Sequence, residues 1–380
     1  MKQIYLDYNA TTPIAPSVLE AIQPFLTRHY GNPSSSHAAG CAAREAIEDA
    51  RTQVAGLLGV GREAIVFTSG GTESNNLAIK GAMYAARAPG HVVISAIEHP
   101  AVTRPARFLE QIGHELTIVP CRSDGCVDPD DVRRAIRSDT RLVSVMHSNN
   151  EIGTLQPVAE IARICRERGV LVHTDASQSV GKVPTRCEDL GVDMLTVAGH
   201  KLYAPKGIGA LYVREGVDLE PLLHGGDQES GFRGGTENTP WIVGLGQACQ
   251  MVAGCLDQTM ARLAELRDLL HEEIESAAGC ERPINGGDAE RLPNTLSIRM
   301  PGVPGYVVLR GCPEVAASTG SACHSEHHDM SPVLAALGLS ARQASETIRL
   351  SVGWYTSEDD IAVAANAIVA AWQSARQARA

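Results

Sequence analysis

Aromatic residues are scarce in this chain: Phe, Trp and Tyr make up 4% of its 380 residues. Small aliphatic side chains must therefore fill its core. No apolar run approaches the ~20 residues that a bilayer-spanning helix needs. Met1-Lys2-Gln3-Ile4-Tyr5-Leu6-Asp7 is a short strand-like run broken by charge, unlike a secretory leader. A cytoplasmic protein without membrane contact is expected. The ten cysteines include no CxxC pair, so in a chain this long they do not form a disulfide framework. Most read as small buried hydrophobes. Internal repeats, low-complexity tracts and long linkers are missing too. Positive charge is in deficit: the net charge of -11 argues against a nucleic-acid or anionic-membrane surface and favours a small-molecule substrate.

What is present is alternation. Strand-like runs recur at Ala64 to Phe67, Val92 to Ala96, Leu116 to Val119, Leu142 to Met146, Val170 to Thr174, Met194 to Val197 and Ile208 to Val213, with helical segments between most of them. This pattern predicts an α/β fold whose mainly parallel seven-stranded sheet is covered on both faces, with ligands at the carboxyl ends of the strands. After Pro240 the pattern changes. A single long helix is expected from about Trp241 to Ala277, then strands at Thr295 to Arg299, Val315 to Ser318 and Thr347 to Val352, and a last helix after Ser357 with Glu358, Asp359 and Asp360 in its first turn. The expected division is a large domain over 13–255 and a smaller α+β domain made of 1–12 and 256–380, since 380 residues exceed one simple core.

Lys201 in Ala198-Gly199-His200-Lys201 closes one strand run, and Asp175 in Val172-His173-Thr174-Asp175 closes the run before it. Neighbouring strands would put an amine and a carboxylate at one sheet edge. Pyridoxal phosphate needs that pair: a lysine for a Schiff base and an acid on its pyridine nitrogen, so that the ring acts as an electron sink. Each residue alone has a plainer reading, a solvated lysine and a helix-capping aspartate. Phe67-Thr68-Ser69-Gly70-Gly71-Thr72 follows a strand and opens a helix, where Gly71 permits close backbone approach and Thr72 adds a hydroxyl to a phosphate cradle. Gly-rich strand-to-helix turns are also ordinary punctuation. His99, in Glu98-His99-Pro100, ends another strand at the same edge. It could shuttle protons and stack on a cofactor ring, or simply cap a helix starting at Pro100.

Asp7-Tyr8-Asn9-Ala10-Thr11-Thr12-Pro13, Gly31-Asn32-Pro33-Ser34-Ser35, Thr68 to Asn76, Glu98-His99, Asn149-Asn150-Glu151-Ile152-Gly153, His173-Thr174-Asp175, Gly199-His200-Lys201 and Arg233-Gly234-Gly235-Thr236-Glu237-Asn238 follow in this order. Together they resemble the cysteine desulfurase and selenocysteine lyase family, class V aminotransferases with the fold of type I pyridoxal-phosphate enzymes. The resemblance spans nearly the whole chain. It implies that Lys201 carries the cofactor, Asp175 pairs with the pyridine nitrogen, Gln178 approaches the phenolate oxygen and His99 stacks on the ring. It further implies that Thr72 and His200 hold the phosphate together with Thr236 of a second subunit, hence a homodimer. Asn150 and Arg349 match the residues that bind the substrate carboxylate, which a guanidinium suits by bidentate geometry. Ala198 departs from the pattern, since desulfurases commonly place a phosphate-binding serine there.

Cys323, in Ser321-Ala322-Cys323-His324-Ser325-Glu326-His327-His328-Asp329, sits among small and polar residues. It is the candidate nucleophile for sulfur or selenium, leaving alanine and a persulfide or selenopersulfide for an acceptor protein. The neighbouring histidines lack CxxC or HExxH spacing, so solvated loop histidines are expected and no metal. The segment around Cys323, with Ala198, looks closer to selenocysteine lyases; Pro100 matches neither branch. Other readings are a pyridoxal-phosphate aminotransferase or β-eliminating lyase in which Cys323 is incidental, and a noncatalytic scaffold that has kept the fold.

Overall fold

The computed structural model describes residues 3–319 and 330–378. In chain order its strands are β1 (Ile4–Tyr5), β2 (Ile65–Thr68), β3 (His91–Ser95), β4 (Glu115–Val119), β5 (Thr140–Ser144), β6 (Leu171–Asp175), β7 (Met194–Ala198), β8 (Gly209–Val213), β9 (Thr295–Arg299), β10 (Val315–Ala316) and β11 (Thr347–Ser351). The strands β2 to β8 form one seven-stranded sheet in the order β2-β8-β7-β6-β5-β3-β4. Each lies within a residue or two of an apolar run read from the sequence. Four neighbouring pairs are parallel, while β8 is antiparallel to both β2 and β7.

Successive strand residues point to opposite faces, and here both faces are apolar. Val93, Val143, Val172, Leu195 and Val197 pack in one cluster, under the helices Ala38–Leu58, Val158–Arg166 and Thr239–Ala253. Val92, Ile94, Leu142, Met194 and Leu211 pack in the other, under the helical run that starts at Gly71 and the helix Pro100–Gln111. At the β4 edge the pattern relaxes, with Glu115 and Ile118 exposed.

A separate cluster joins Ile4 and Leu6 to β9, β11 and the helices Leu256–Ala278 and Glu358–Gln377. The last of these is capped as its sequence predicts: the Ser357 hydroxyl accepts from the Asp360 N–H, and the Asp360 side chain returns the bond to the Ser357 N–H.

The expected single helix from Trp241 to Ala277 is two. Thr239–Ala253 stops at Gly254, and Leu256–Ala278 restarts after Cys255. The cause is a change of partner. Cys249 and Val252 pack on the sheet cluster, whereas Leu263 and Leu266 pack on the other one, so the apolar stripe must re-aim between them. Glycine, a poor helix former, sits at the break. Among the described residues no helix is long and apolar enough to cross a membrane.

Candidate active site

Asp175 ends β6 and pairs in register with Thr196 of β7, whose last residue is Ala198. One short 3-10 turn, Gly199–Lys201, then carries Lys201 to the same edge. Two antiparallel steps make β2 run in the direction of β7, so Gly71 and Thr72 also open a helix at that edge. His99 follows β3 there. Five of the residues read from the sequence thus converge at the carboxyl ends of the strands, where open α/β sheets place their ligands.

The Lys201 ammonium is largely enclosed. It donates to the carbonyl oxygens of Asn9 (2.5 Å) and Ala10 (2.7 Å), which fixes the N-terminal segment across the site. Burial, reinforced by the Arg349 charge, pushes its pKa down to about 8. A near-neutral solution then holds an appreciable fraction of free amine, the nucleophilic form. Asp175 is 5% exposed. Its Oδ1 accepts from the Ser177 N–H at 2.9 Å and its Oδ2 from Asn75 Nδ2 at 2.7 Å, two neutral donors that orient the carboxylate without neutralising it.

His99 does what the plainer reading expects and caps the helix Pro100–Gln111, its Nδ1 accepting from the Ala101 N–H. Burial lowers its pKa, opposed by the Asp175 charge and reinforced by that of Lys201. His200 Nδ1 lies 3.2 Å from Thr11 Oγ1, and burial together with Lys201, Lys206 and Lys182 pushes it down to about 4. Thr72 and Thr236 are exposed. Gly71 is needed for close packing: a Cβ there would meet Ser177 Oγ at 3.0 Å and Ala198 Cβ at 3.2 Å.

Gln178 is buried, with Nε2 donating to the Asn9 carbonyl oxygen. Arg349 is 4% exposed on β11; it donates to the Asn150 carbonyl oxygen at 2.9 Å and to Asp7 Oδ1 at 2.7 Å. Asn150 therefore meets Arg349 through its backbone. Cys323 lies outside the described residues, as do His324, His327, His328 and Asp329.

Sequence reasoning gave no individual role to Asn75, Asn9, Asp7 or Lys182, which complete this constellation. Asn75 and Asn9 lay inside quoted motifs. The available signal for Asn75 was its place one helical turn after Thr72, and for Lys182 a lysine in an otherwise small and apolar turn.

The donor set fits pyridoxal phosphate. An amine with a lowered pKa and an oriented carboxylate stand on adjacent strands, the Asn75 Oδ1 is buried without a partner among the described residues, and a Cβ built on Gly70 would meet open space beside them. Comparison with known proteins points the same way. The family model for class-V aminotransferases matches residues 4–363. Cysteine desulfurase IscS of Dictyoglomus turgidum is 45% identical over 95% of this chain and 92% of its own length, and cysteine desulfurase IscS 1 of Archaeoglobus fulgidus is 44% identical over 94% of each. Among solved structures, a NifS-like protein superposes with a TM-score of 0.90 at 34% identity, covering 98% of this chain and all of its own. A protein solved as SspA in complex with cysteine gives 0.79 at 37% identity over 93% and 99%. With the motifs in order, the sheet topology and the amine–carboxylate pair all in agreement, the chain belongs to the class-V aminotransferases, a family of pyridoxal-phosphate enzymes.

Proposed function

We propose that this enzyme removes sulfur from L-cysteine, or selenium from L-selenocysteine, and releases L-alanine. The observation that carries the reading is Lys201 and Asp175 at the ends of adjacent strands with Arg349 on the same side, an arrangement for an amino acid held by its carboxylate beside a pyridoxal ring. The relatives named cysteine desulfurase, matched over nearly their whole length, support the chemistry.

In this reading Lys201 is the covalent anchor of the cofactor, Asp175 faces its pyridine nitrogen, Gln178 its phenolate oxygen, and His99 its ring face. Gly71, Thr72, His200 and the partner copy's counterpart of Thr236 hold the phosphate, which makes the working unit a homodimer; the exposure of Thr236 supports a role across subunits. When bound, pyridoxal phosphate supplies an electron sink for the bonds around the substrate α-carbon. The protein supplies the rest. Arg349, already tied to Asp7 and the Asn150 carbonyl, presents a fixed fork for the substrate carboxylate, with the Asn150 side chain beside it. The Lys201 amine, with its pKa lowered to about 8, can take or return a proton. The Cys323 thiolate forms a bond to the substrate sulfur or selenium as the bond from that atom to Cβ breaks. Alanine leaves once the carbon is protonated, and the persulfide or selenopersulfide remains on Cys323 for an acceptor protein.

The clusters on the two sheet faces fall within 13–255 apart from Tyr8, and the separate cluster falls within 1–12 and 256–380, which supports working units with those bounds, the second carrying Cys323. Selenocysteine is the favoured substrate on the segment around Cys323 and on Ala198. The deciding experiment compares alanine, sulfide and selenide release from both substrates by the purified holoenzyme and by Cys323→Ala. Loss of sulfur release in the variant is expected. Full activity of Cys323→Ala on both substrates would overturn the mechanism, and pyruvate with ammonia in place of alanine would point to a β-eliminating lyase.

A further inference from the structure

Lys182 is a buried cation that the chemistry above does not use. The turn after β6 brings it back beneath Gln178: Val180 N–H bonds to the Ala176 carbonyl, Lys182 N–H to the Ser179 carbonyl, and Gly181 takes φ +80° between them. Lys182 is 6% exposed, and its Nζ donates to Gln178 Oε1 at 3.0 Å. Gln178 Nε2 in turn donates at 2.9 Å to the Asn9 carbonyl oxygen, the same oxygen that accepts from Lys201. Four residues from three parts of the chain thus form one hydrogen-bonded line from Lys182 to the amine at the centre of the site.

An amide can bond in either of two flipped orientations unless its partners choose for it. In its protonated form a lysine has donors and no acceptor, so the charged Lys182 can satisfy only the oxygen end of Gln178. The Asn9 carbonyl, which can only accept, takes the nitrogen end, so Lys182 and Asn9 together fix the orientation of the amide. Burial of an ammonium is costly, and a structural filler at this position would be met more cheaply by an apolar side chain. The charges that act on Lys182 are those of Lys201 and Arg349, both cations, and with burial they push its pKa down to about 7. Its placement is therefore unfavourable by itself.

We propose that Lys182 is a positioning residue: it locks the Gln178 amide with Nε2 aimed at the cofactor's phenolate oxygen. This rests on the assignment of Gln178 made above. A donor at that oxygen stabilises the form in which it carries full negative charge, so removing the lock raises the pH at which the bound cofactor's visible absorbance changes.

The test is an absorbance titration of the reconstituted holoenzyme and of Lys182→Met, Lys182→Gln, Gln178→Ala and Lys182→Met/Gln178→Ala. Lys182→Met is expected to raise the midpoint by about one pH unit, a tenfold change in the ionisation constant, the size of one lost hydrogen bond. Gln178→Ala should raise it similarly, and the double variant no further than either single one, because both act through the same donor. Lys182→Gln keeps an N–H donor without the charge and should stay closer to wild type than to Lys182→Met. An unmoved midpoint in Lys182→Met, additive shifts in the double variant, or a Lys182→Gln shift equal to that of Gln178→Ala would overturn the proposal. If Lys182→Met does not fold, the Lys182→Gln comparison decides alone. A Gln178→Ala midpoint equal to wild type while Lys182→Met moves would instead refute the role given to Gln178, and with it any action of Lys182 through that residue.

Discussion

At the scale of single residues, the sharpest dependence falls on Arg349. Its guanidinium serves the Asn150 carbonyl and Asp7 Oδ1 with separate nitrogens, a division of labour that a planar fork allows and a single ammonium does not. Asp7 comes from the first strand-like run of the chain, so the N-terminal segment and β11 orient this side chain together. Arg349→Lys keeps the charge and loses the fork. One or two charge-assisted hydrogen bonds are then missing, and KM for L-cysteine should rise about 10- to 100-fold while cofactor content stays that of wild type. Steady-state kinetics with the cofactor-to-protein ratio measured in parallel checks this. An unchanged KM would remove Arg349 from the substrate site.

Among the elements, the turn after β6 is under close steric demand. Gly181 has φ +80°, and a Cβ there would lie 2.1 Å from Leu202 Cδ1 and 3.1 Å from Val252 Cγ1. Both the left-handed backbone and the clash oppose a side chain. Gly181→Ala should therefore cost about 2–5 kcal/mol, the sum of ~1–2 for the conformation and ~1–3 for overpacking. Urea unfolding measures it, and a loss below about 1 kcal/mol would show that the turn relaxes freely. Because Leu202 follows Lys201, the same clash bears on the amine's position.

Elements of this kind differed in how well the sequence announced them. Strands of the central sheet were legible because both of their faces are buried, which leaves largely apolar runs such as Val92–Ile94 and Met194–Ala198, the latter polar only at Thr196. The break at Gly254 was not legible, since helical periodicity continues across it and only the identity of the packing partner changes. In the site, Asp175 and Lys201 stood out as polar residues closing apolar strands. The Asn75 bond to Asp175 and the Asn9 bond to Lys201 did not, because they join positions 100 and 192 residues apart, and no local pattern encodes such a contact. His99 had both readings in the sequence, and its cap is visible in the structure.

For the molecule as a whole, several buried titratable groups make stability a function of pH with opposing contributions. His147 and His173 are buried and pushed down to about 4, so unfolding takes up protons between pH 4 and 6.5 and stability rises with pH there. Glu98 opposes them. It is 6% exposed, its Oε1 accepts from Ser95 Oγ and the Met146 N–H, its Oε2 has no partner among the described residues, and burial with the nearby Asp175 charge pushes it up to about 8. The folded chain keeps that proton while the unfolded chain releases it above about 4.5, so this contribution is complete below pH 4.5 and is lost as pH rises through 8. Lys182 and Lys201, lowered to about 7 and 8, add stability again above those values as the unfolded chain alone stays protonated up to about 10.5. The wild-type curve mixes all of these, but the difference between Glu98→Gln and wild type isolates one. Glutamine fills the same space, keeps an acceptor for Ser95 and Met146, and does not titrate. At fixed cofactor content the stability of Glu98→Gln relative to wild type should be constant below about pH 4.5, climb by about 3–5 kcal/mol between 4.5 and 8, and level off above that. Urea midpoints at pH 5, 7 and 9 are enough to see it. A flat difference across that range would mean that Glu98 ionises in the folded protein as readily as in the unfolded chain, and that its carboxylate has found a partner or water at Oε2.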